Sequence, residues 1–162
     1  MESMRIGILS DTHDDMTAIK KAVEILNAEN VSHVIHAGDI TSPFTFELFN
    51  ELRCRLTGIF GNNDGDRLLL SEKSGGNLSP QPLIMSLDGK KIVAVHEPDL
   101  VDALAESGHF DLVIYGHTHR PVVRKFKGTL VVNPGKLARL HKGESTLSVL
   151  DLDGMEARII SL

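Results

Sequence analysis

The sequence predicts an α/β fold: a four-layer sandwich in which two mixed β-sheets pack face to face and helices cover their outer sides. Three observations lead there. The N-terminal two-thirds alternates short apolar runs with amphipathic stretches, the pattern of strand–helix–strand units. Asp88-Gly89, Lys127-Gly128 and Asp153-Gly154 each sit between β-favouring runs, which is the signature of hairpins. The 162 residues, 41% hydrophobic and 24% charged, suit one domain over 1–162. A chain of that length buries roughly two-thirds of its unfolded surface and needs no staple to fold.

Ile6 to Leu9 reads as a buried strand. Ile19, Ala22, Val23 and Leu26 then fall on one face of a helix, with Asp14 or Asp15 available to cap it. Val34-Ile35 marks a second strand. Thr41-Ser42-Pro43 offers a cap and a proline for a helix whose apolar side is Phe44, Leu48, Phe49 and Leu52. Leu56 to Phe60 is a third strand, and Leu68-Leu69-Leu70 predicts a short helix. Ser71 to Gln81, with its Gly75-Gly76 pair, reads as a surface loop. Ile92–Val95 and Leu112–Tyr115 are strands flanking a helix that Asp99 could cap and Gly108 could end.

Composition removes several functions. The single cysteine, Cys54, excludes a disulfide framework and reads as a small core residue. A net charge of -5 and 4% aromatic residues argue against nucleic acid or an anionic membrane as partner. No apolar run approaches the roughly 20 residues of a membrane span. The start, Met1-Glu2-Ser3-Met4-Arg5, lacks a signal-peptide pattern, so a cytoplasmic location is expected. Self-association into a homo-oligomer stays open. Eight histidines exceed what a structural domain needs.

The informative residues follow the apolar runs. Ile8-Leu9-Ser10 leads into Asp11-Thr12-His13, His36-Ala37 into Gly38-Asp39, and Ile59-Phe60 into Gly61-Asn62-Asn63-Asp64. Val95 is followed by His96, and Tyr115 by Gly116-His117-Thr118-His119. Five strands thus end in potential metal ligands, at the sheet edge where α/β proteins bind ligands. The glycines at 38, 61 and 116 allow close backbone approach at that rim. Asp11, His13, Asp39, Asn62, His96, His117 and His119 supply only oxygen and nitrogen, which suits Mn2+, Fe2+, Co2+, Ni2+ or Zn2+. Seven side chains exceed one tetrahedral site but fit two ions if a carboxylate bridges. Such a pair would clamp a phosphoryl group and acidify a water from about 15.7 toward 7. Two divalent ions against two aspartates would make the site cationic despite the acidic chain.

Asp-x-His, Gly-Asp, Gly-Asn-x-Asp, a strand-end His and Gly-His-x-His, in this order, resemble the blocks of the calcineurin-like metallophosphoesterases. The start Met4 to His13 and Asn133-Pro134-Gly135 are similar to the small bacterial and archaeal phosphodiesterase branch. The resemblance implies the four-layer sandwich and a phosphodiesterase acting on a small diester through a hydroxide activated by two divalent metal ions, Mn2+ being the first expectation. It implies one ion on Asp11, His13, Asp39 and His119, and a second on Asp39, Asn62, His96 and His117; the catalytic residues expected are Asp39, Asn62 and Asn63. A catalytically weak metal-binding scaffold for protein–protein interaction, as a retromer subunit of this fold suggests, is the alternative. Many relatives carry histidine directly after the metal-binding asparagine. Asn63 stands there in this chain and can donate a hydrogen bond but no proton, so slow turnover is expected. Glu97 replaces a frequent glycine, and Lys136 a frequent serine. His36 reads as core or as a residue orienting a ligand. His33, His109 and His141 read as surface or packing residues. Arg120 and Lys136 could steer phosphate or simply be solvated.

Overall fold

The computed structural model describes residues 2–140 and 142–162; the histidine at 141 lies outside the described residues. Its central β-strands read as apolar runs because both faces of each sheet are covered there. Strand β1 (Arg5–Leu9) sends Ile6 and Ile8 to one side and Gly7 and Leu9 to the other. In β2 (His33–His36) and β3 (Arg55–Ile59), Ile35 and Ile59 follow the first face, while Val34 and Leu56 follow the second. The remaining strands are β4 (Leu78–Ser79), β5 (Leu83–Leu87), β6 (Lys90–Ala94), β7 (Leu112–Ile114), β8 (Val122–Phe126), β9 (Thr129–Asn133), β10 (Thr146–Asp151) and β11 (Glu156–Ser161).

They form a six-stranded sheet, β11-β10-β1-β2-β3-β4, and a five-stranded sheet, β5-β6-β7-β9-β8. β1 to β4 run parallel in the first, as do β6, β7 and β9 in the second, and antiparallel partners complete both. Between the sheets Ile6, Ile8, Ile35 and Ile59 meet Ile92, Ile114 and Val132. Each fully buried isoleucine there contributes roughly 1.5–3 kcal/mol. Helices α1 (Met16–Ala28), α2 (Phe46–Phe49) and α3 (Arg67–Lys73) cover the outer face of the first sheet, and α4 (Val101–Glu106) that of the second. The expected sandwich of two mixed sheets between helices is what the chain adopts.

Three local expectations need correction. Residues 71–81 are more than a loop: Leu78-Ser79 is a sixth strand pairing with β3, and Leu78 is buried. Asp99 caps nothing. It sits inside the 3-10 turn Pro98–Leu100, and α4 starts after it with no side-chain cap. The helix after Ser42 opens as the 3-10 turn Pro43–Thr45, whose tighter winding of about three residues per turn rotates the apolar face. Phe46 and Phe49 therefore enter the core while Phe44 stays 53% exposed. The three hairpin turns lie where they were read, and Asp15, not Asp14, caps α1 by accepting from the Ala18 N–H.

Candidate metal centre

At the carboxyl ends of β1, β2, β3, β6 and β7, the chain must turn sharply while presenting side chains, and its backbone shows the cost. Asp11, His13, Asp39, His117 and His119 all have positive φ, between 38° and 66°. That region is unfavourable for residues with a Cβ, and such strain persists only where surrounding contacts impose it. Those contacts are visible. Asp11 N–H donates to Gly38 O at 3.0 Å and His13 N–H to Asp39 O at 3.1 Å, lacing the first two loops together. Gly61 and Gly116 are small for a reason of space. A Cβ at Gly61 would collide with the Asp39 carboxylate, and one at Gly116 would meet Ser10 Oγ and Asp11 Oδ2.

The seven anticipated ligands gather in one place. Asp39 Oδ2 lies 3.5 Å from His13 Nε2 and 3.3 Å from His96 Nε2. His119 Nε2 is 3.2 Å and His13 Nε2 3.5 Å from Asp11 Oδ1. Asn62 Oδ1 is 2.9 Å from His96 Nε2 and 3.1 Å from His117 Nδ1. Asp11, His13 and His119 bring ligand atoms within 4.8 Å of one another, and Asp11, Asp39 and His96 do the same. Asn63 turns inward: its main-chain N–H donates to Asp39 Oδ1 at 2.8 Å and its side-chain amide to Oδ2 at 2.9 Å.

The donor set suits a cation. His96 Nδ1 sits 2.7 Å from Ala37 O, which can only accept, so Nδ1 carries a proton and Nε2 faces the oxygens of Asp39 and Asn62. Burial opposes charge on His96, yet its hydrogen bond to Asp39 outweighs this and lifts the imidazole to about 9. Burial also pushes Asp39 upward, but the hydrogen bonds from His96 and Asn63 hold its carboxyl far below the ordinary range. Asp11 is lowered likewise, against burial, by His13 and Ser10. His13 is raised, chiefly by its hydrogen bond with Asp11. Two carboxylates kept ionised in a buried cluster, facing imidazole nitrogens and an amide oxygen, are a hard-to-borderline ligand set with no thiolate.

Around them stand residues to which the motifs assign no role. Asp64, the last residue of the Gly-Asn-x-Asp block, is buried and accepts from the N–H groups of Asp39, Gly61 and Thr41 at 2.7–2.9 Å. Asn133 donates to Gly116 O and Thr118 Oγ1, bracing the His117–His119 loop. Gln81 accepts from His96 N–H at 2.7 Å and donates to Glu97 at 2.6 Å. Nothing in a loop-like stretch signals that role for Gln81. Glu97 itself lines a hollow of about 300 Å³ with Pro82, Val95, Asp99, Leu100 and Leu104. His36 is wholly buried: Nδ1 accepts from Gly38 N–H at 3.1 Å, so Nε2–H donates to Thr12 Oγ1 at 3.1 Å. His33 is buried against Thr57, His109 lies exposed, and Cys54 packs partly buried beside the core.

Strand-end acids, an asparagine and histidines converging on the rim of a double-sheet sandwich define a class of phosphoesterases. The family model for the calcineurin-like phosphoesterase superfamily domain matches residues 4–155, and the chain belongs to that superfamily. Phosphodiesterase MJ0936 of Methanocaldococcus jannaschii is 39% identical, over 98% of this chain and 99% of its own length. Phosphodiesterase YfcE of Escherichia coli K12 is 24% identical over 98% and 92%. A solved archaeal phosphodiesterase superposes with a TM-score of 0.93 at 38% identity, covering 98% of this chain and all of its own. Vps29 of Chaetomium thermophilum, 14% identical over 99% and 96%, shares the fold with a TM-score of 0.72. The curated phosphodiesterases and the superfamily support a hydrolase. Among the described residues no helix is long and apolar enough to cross a membrane.

Proposed function

We propose that this chain is a metal-dependent phosphodiesterase acting on a small diester. The observation that carries the reading is the position of Asp39 Oδ2 between His13 Nε2 and His96 Nε2, where one carboxylate can serve two ions. Asp11, His13, Asp39 and His119 would hold one divalent cation, and Asp39, Asn62, His96 and His117 the other, with Mn2+ foremost and Ni2+, Co2+, Fe2+ or Zn2+ as alternatives. When bound, two such cations supply positive charge for the phosphoryl oxygens and acidify water at neutral pH.

The chain's own groups do the rest. The loops at 11–13, 38–41 and 61–64 are tied to one another through main-chain bonds and Asp64, so the ligand atoms are held in place before any substrate arrives. Asn63 spends its side-chain amide on Asp39 and offers no proton to a departing alcohol. Esters whose alcohol leaves as a stable anion are therefore the favoured substrates.

Metal analysis of the purified chain, with hydrolysis of an aryl phosphodiester measured across Mn2+, Ni2+, Co2+, Zn2+ and Mg2+, tests this. Metal-dependent release of the phenol by wild type, lost in Asp39→Ala, is the expected result. Equal inertness of both with every metal would leave the chain as a metal-binding scaffold for other proteins.

A further inference from the structure

Lys136 is fully buried, and among the described residues no carboxylate pairs with it. An ammonium taken out of water without compensation costs many kcal/mol, so its surroundings must replace hydration. They do so with main-chain carbonyls: Nζ donates to Ala138 O at 2.9 Å and to Gly143 O and Glu144 O at 3.3 Å. Three N–H donors meet three oxygens, a cage of the kind that would otherwise hold a small monovalent cation.

Lys136 lies in the middle of a strap, residues 133–139, that touches both ends of the ligand cluster, and its ammonium ties that strap to the carbonyls of Gly143 and Glu144. At one end Asn133 Nδ2 donates to Gly116 O and to Thr118 Oγ1, within the loop that carries His117 and His119. At the other, Leu137 N–H donates to Ser10 O at 3.0 Å and Ala138 N–H to Asp11 O at 3.1 Å. Arg139 then closes a bidentate pair with Asp15, the cap of α1. Asp11 is held at φ 52°, in the left-handed region that few residues with a Cβ enter, and these bonds help to keep it there.

We propose that Lys136 is a positioning residue: its ammonium acts as a built-in cation that fixes the 133–139 strap, and the strap sets Asp11 and the His117–His119 loop for metal binding. This rests on the metal-centre reading above. Groups that orient ligands without touching the metal typically carry 10–100-fold in affinity.

The test is calorimetric Mn2+ titration of wild type, Lys136→Met and Lys136→Ser, well below each protein's Tm. Ammonium or tetramethylammonium chloride is then added to Lys136→Ser. Both variants should bind Mn2+ at least about tenfold more weakly. Ammonium, which can donate to the carbonyl cage, should recover much of the loss in Lys136→Ser, and tetramethylammonium, which has no N–H, should not. Variants with lowered Tm but unchanged Mn2+ affinity would overturn the proposal, because a merely structural lysine predicts that outcome. A chain that cannot fold without Lys136 would overturn it too, since the residue would then govern folding and not position. If wild type itself binds no divalent cation, the metal-centre reading falls first and takes this one with it.

Discussion

Asp64 Oδ2 accepts the main-chain N–H of Asp39 at 2.9 Å, and the same oxygen accepts Gly61 N–H at 2.7 Å. One buried carboxylate thus fastens the loop after β2 to the loop after β3, and with it Asp39 to Asn62. Replacing Asp64 with alanine leaves two buried N–H groups, of Asp39 and Gly61, and the half-buried one of Thr41 without their acceptor. Each unsatisfied group costs about 1–3 kcal/mol, so a marked fall in Tm is expected. Divalent-ion affinity should fall roughly 10–100-fold alongside it. Calorimetric titration and thermal unfolding check both, and an Asp64→Ala chain with wild-type affinity would remove Asp64 from the metal centre's support.

Gly61→Ala adds one methyl group and would ordinarily stabilise a loop slightly. Here that methyl runs into the Asp39 carboxylate. The expected outcome is a folded chain whose metal binding is reduced well below that of wild type. Circular dichroism together with metal analysis decides it.

His36 predicts a pH dependence of stability. Burial holds its imidazole down at about 3, whereas an unfolded chain protonates near 6.5. Between those values the unfolded state binds a proton that the folded state refuses. The stability His36 contributes is therefore complete above 6.5 and declines as pH falls toward 3. His36→Gln can still accept from Gly38 N–H and donate to Thr12 Oγ1, and it does not titrate. Its Tm should drop less steeply from pH 6.5 to 4 than that of wild type, measured by thermal scans at matched ionic strength.

Asp15 works in the same direction at lower pH. Burial raises its carboxyl, but hydrogen bonds from Arg139 and from the Ala18 N–H carry it down to about 2. Its stabilising effect is present above about 3.8 and disappears as pH falls toward 2. Arg139→Gln should weaken this acid-side dependence and lower Tm at neutral pH, with little change in slope above pH 5.

Asn63→His would introduce a group able to deliver a proton. General acid catalysis typically contributes about 10²–10⁴-fold, so the gain should be greatest for alkyl esters and least for nitrophenyl esters. The histidine gives up the amide bond to Asp39, so the net gain is expected near the lower bound. Ratios of kcat/KM across a series of leaving groups measure it, and identical ratios in both proteins would separate Asn63 from the leaving-group step.

What could be read from the amino-acid order alone is what depends on near neighbours. Apolar periodicity announced the strand and helix alternation, and Asp-Gly and Lys-Gly pairs announced the hairpins. The polar residues that close each strand were visible because a strand end, its turn and its side chains lie within a few positions of one another. Four of the eight histidines, His13, His96, His117 and His119, could be picked out in that way. The tertiary structure decided what depends on distant segments. Leu78-Ser79 is a strand only because β3 offers it an edge, and Phe46 replaces Phe44 in the core because a 3-10 turn shifted the helical face. Gln81 and Lys136 carry no local mark of their roles, and the Gly-Asn-x-Asp block marks Asp64 without saying which N–H groups it accepts. A carboxylate among three N–H groups, an amide beneath a histidine and an ammonium inside a carbonyl cage exist only once far-apart loops have been brought together.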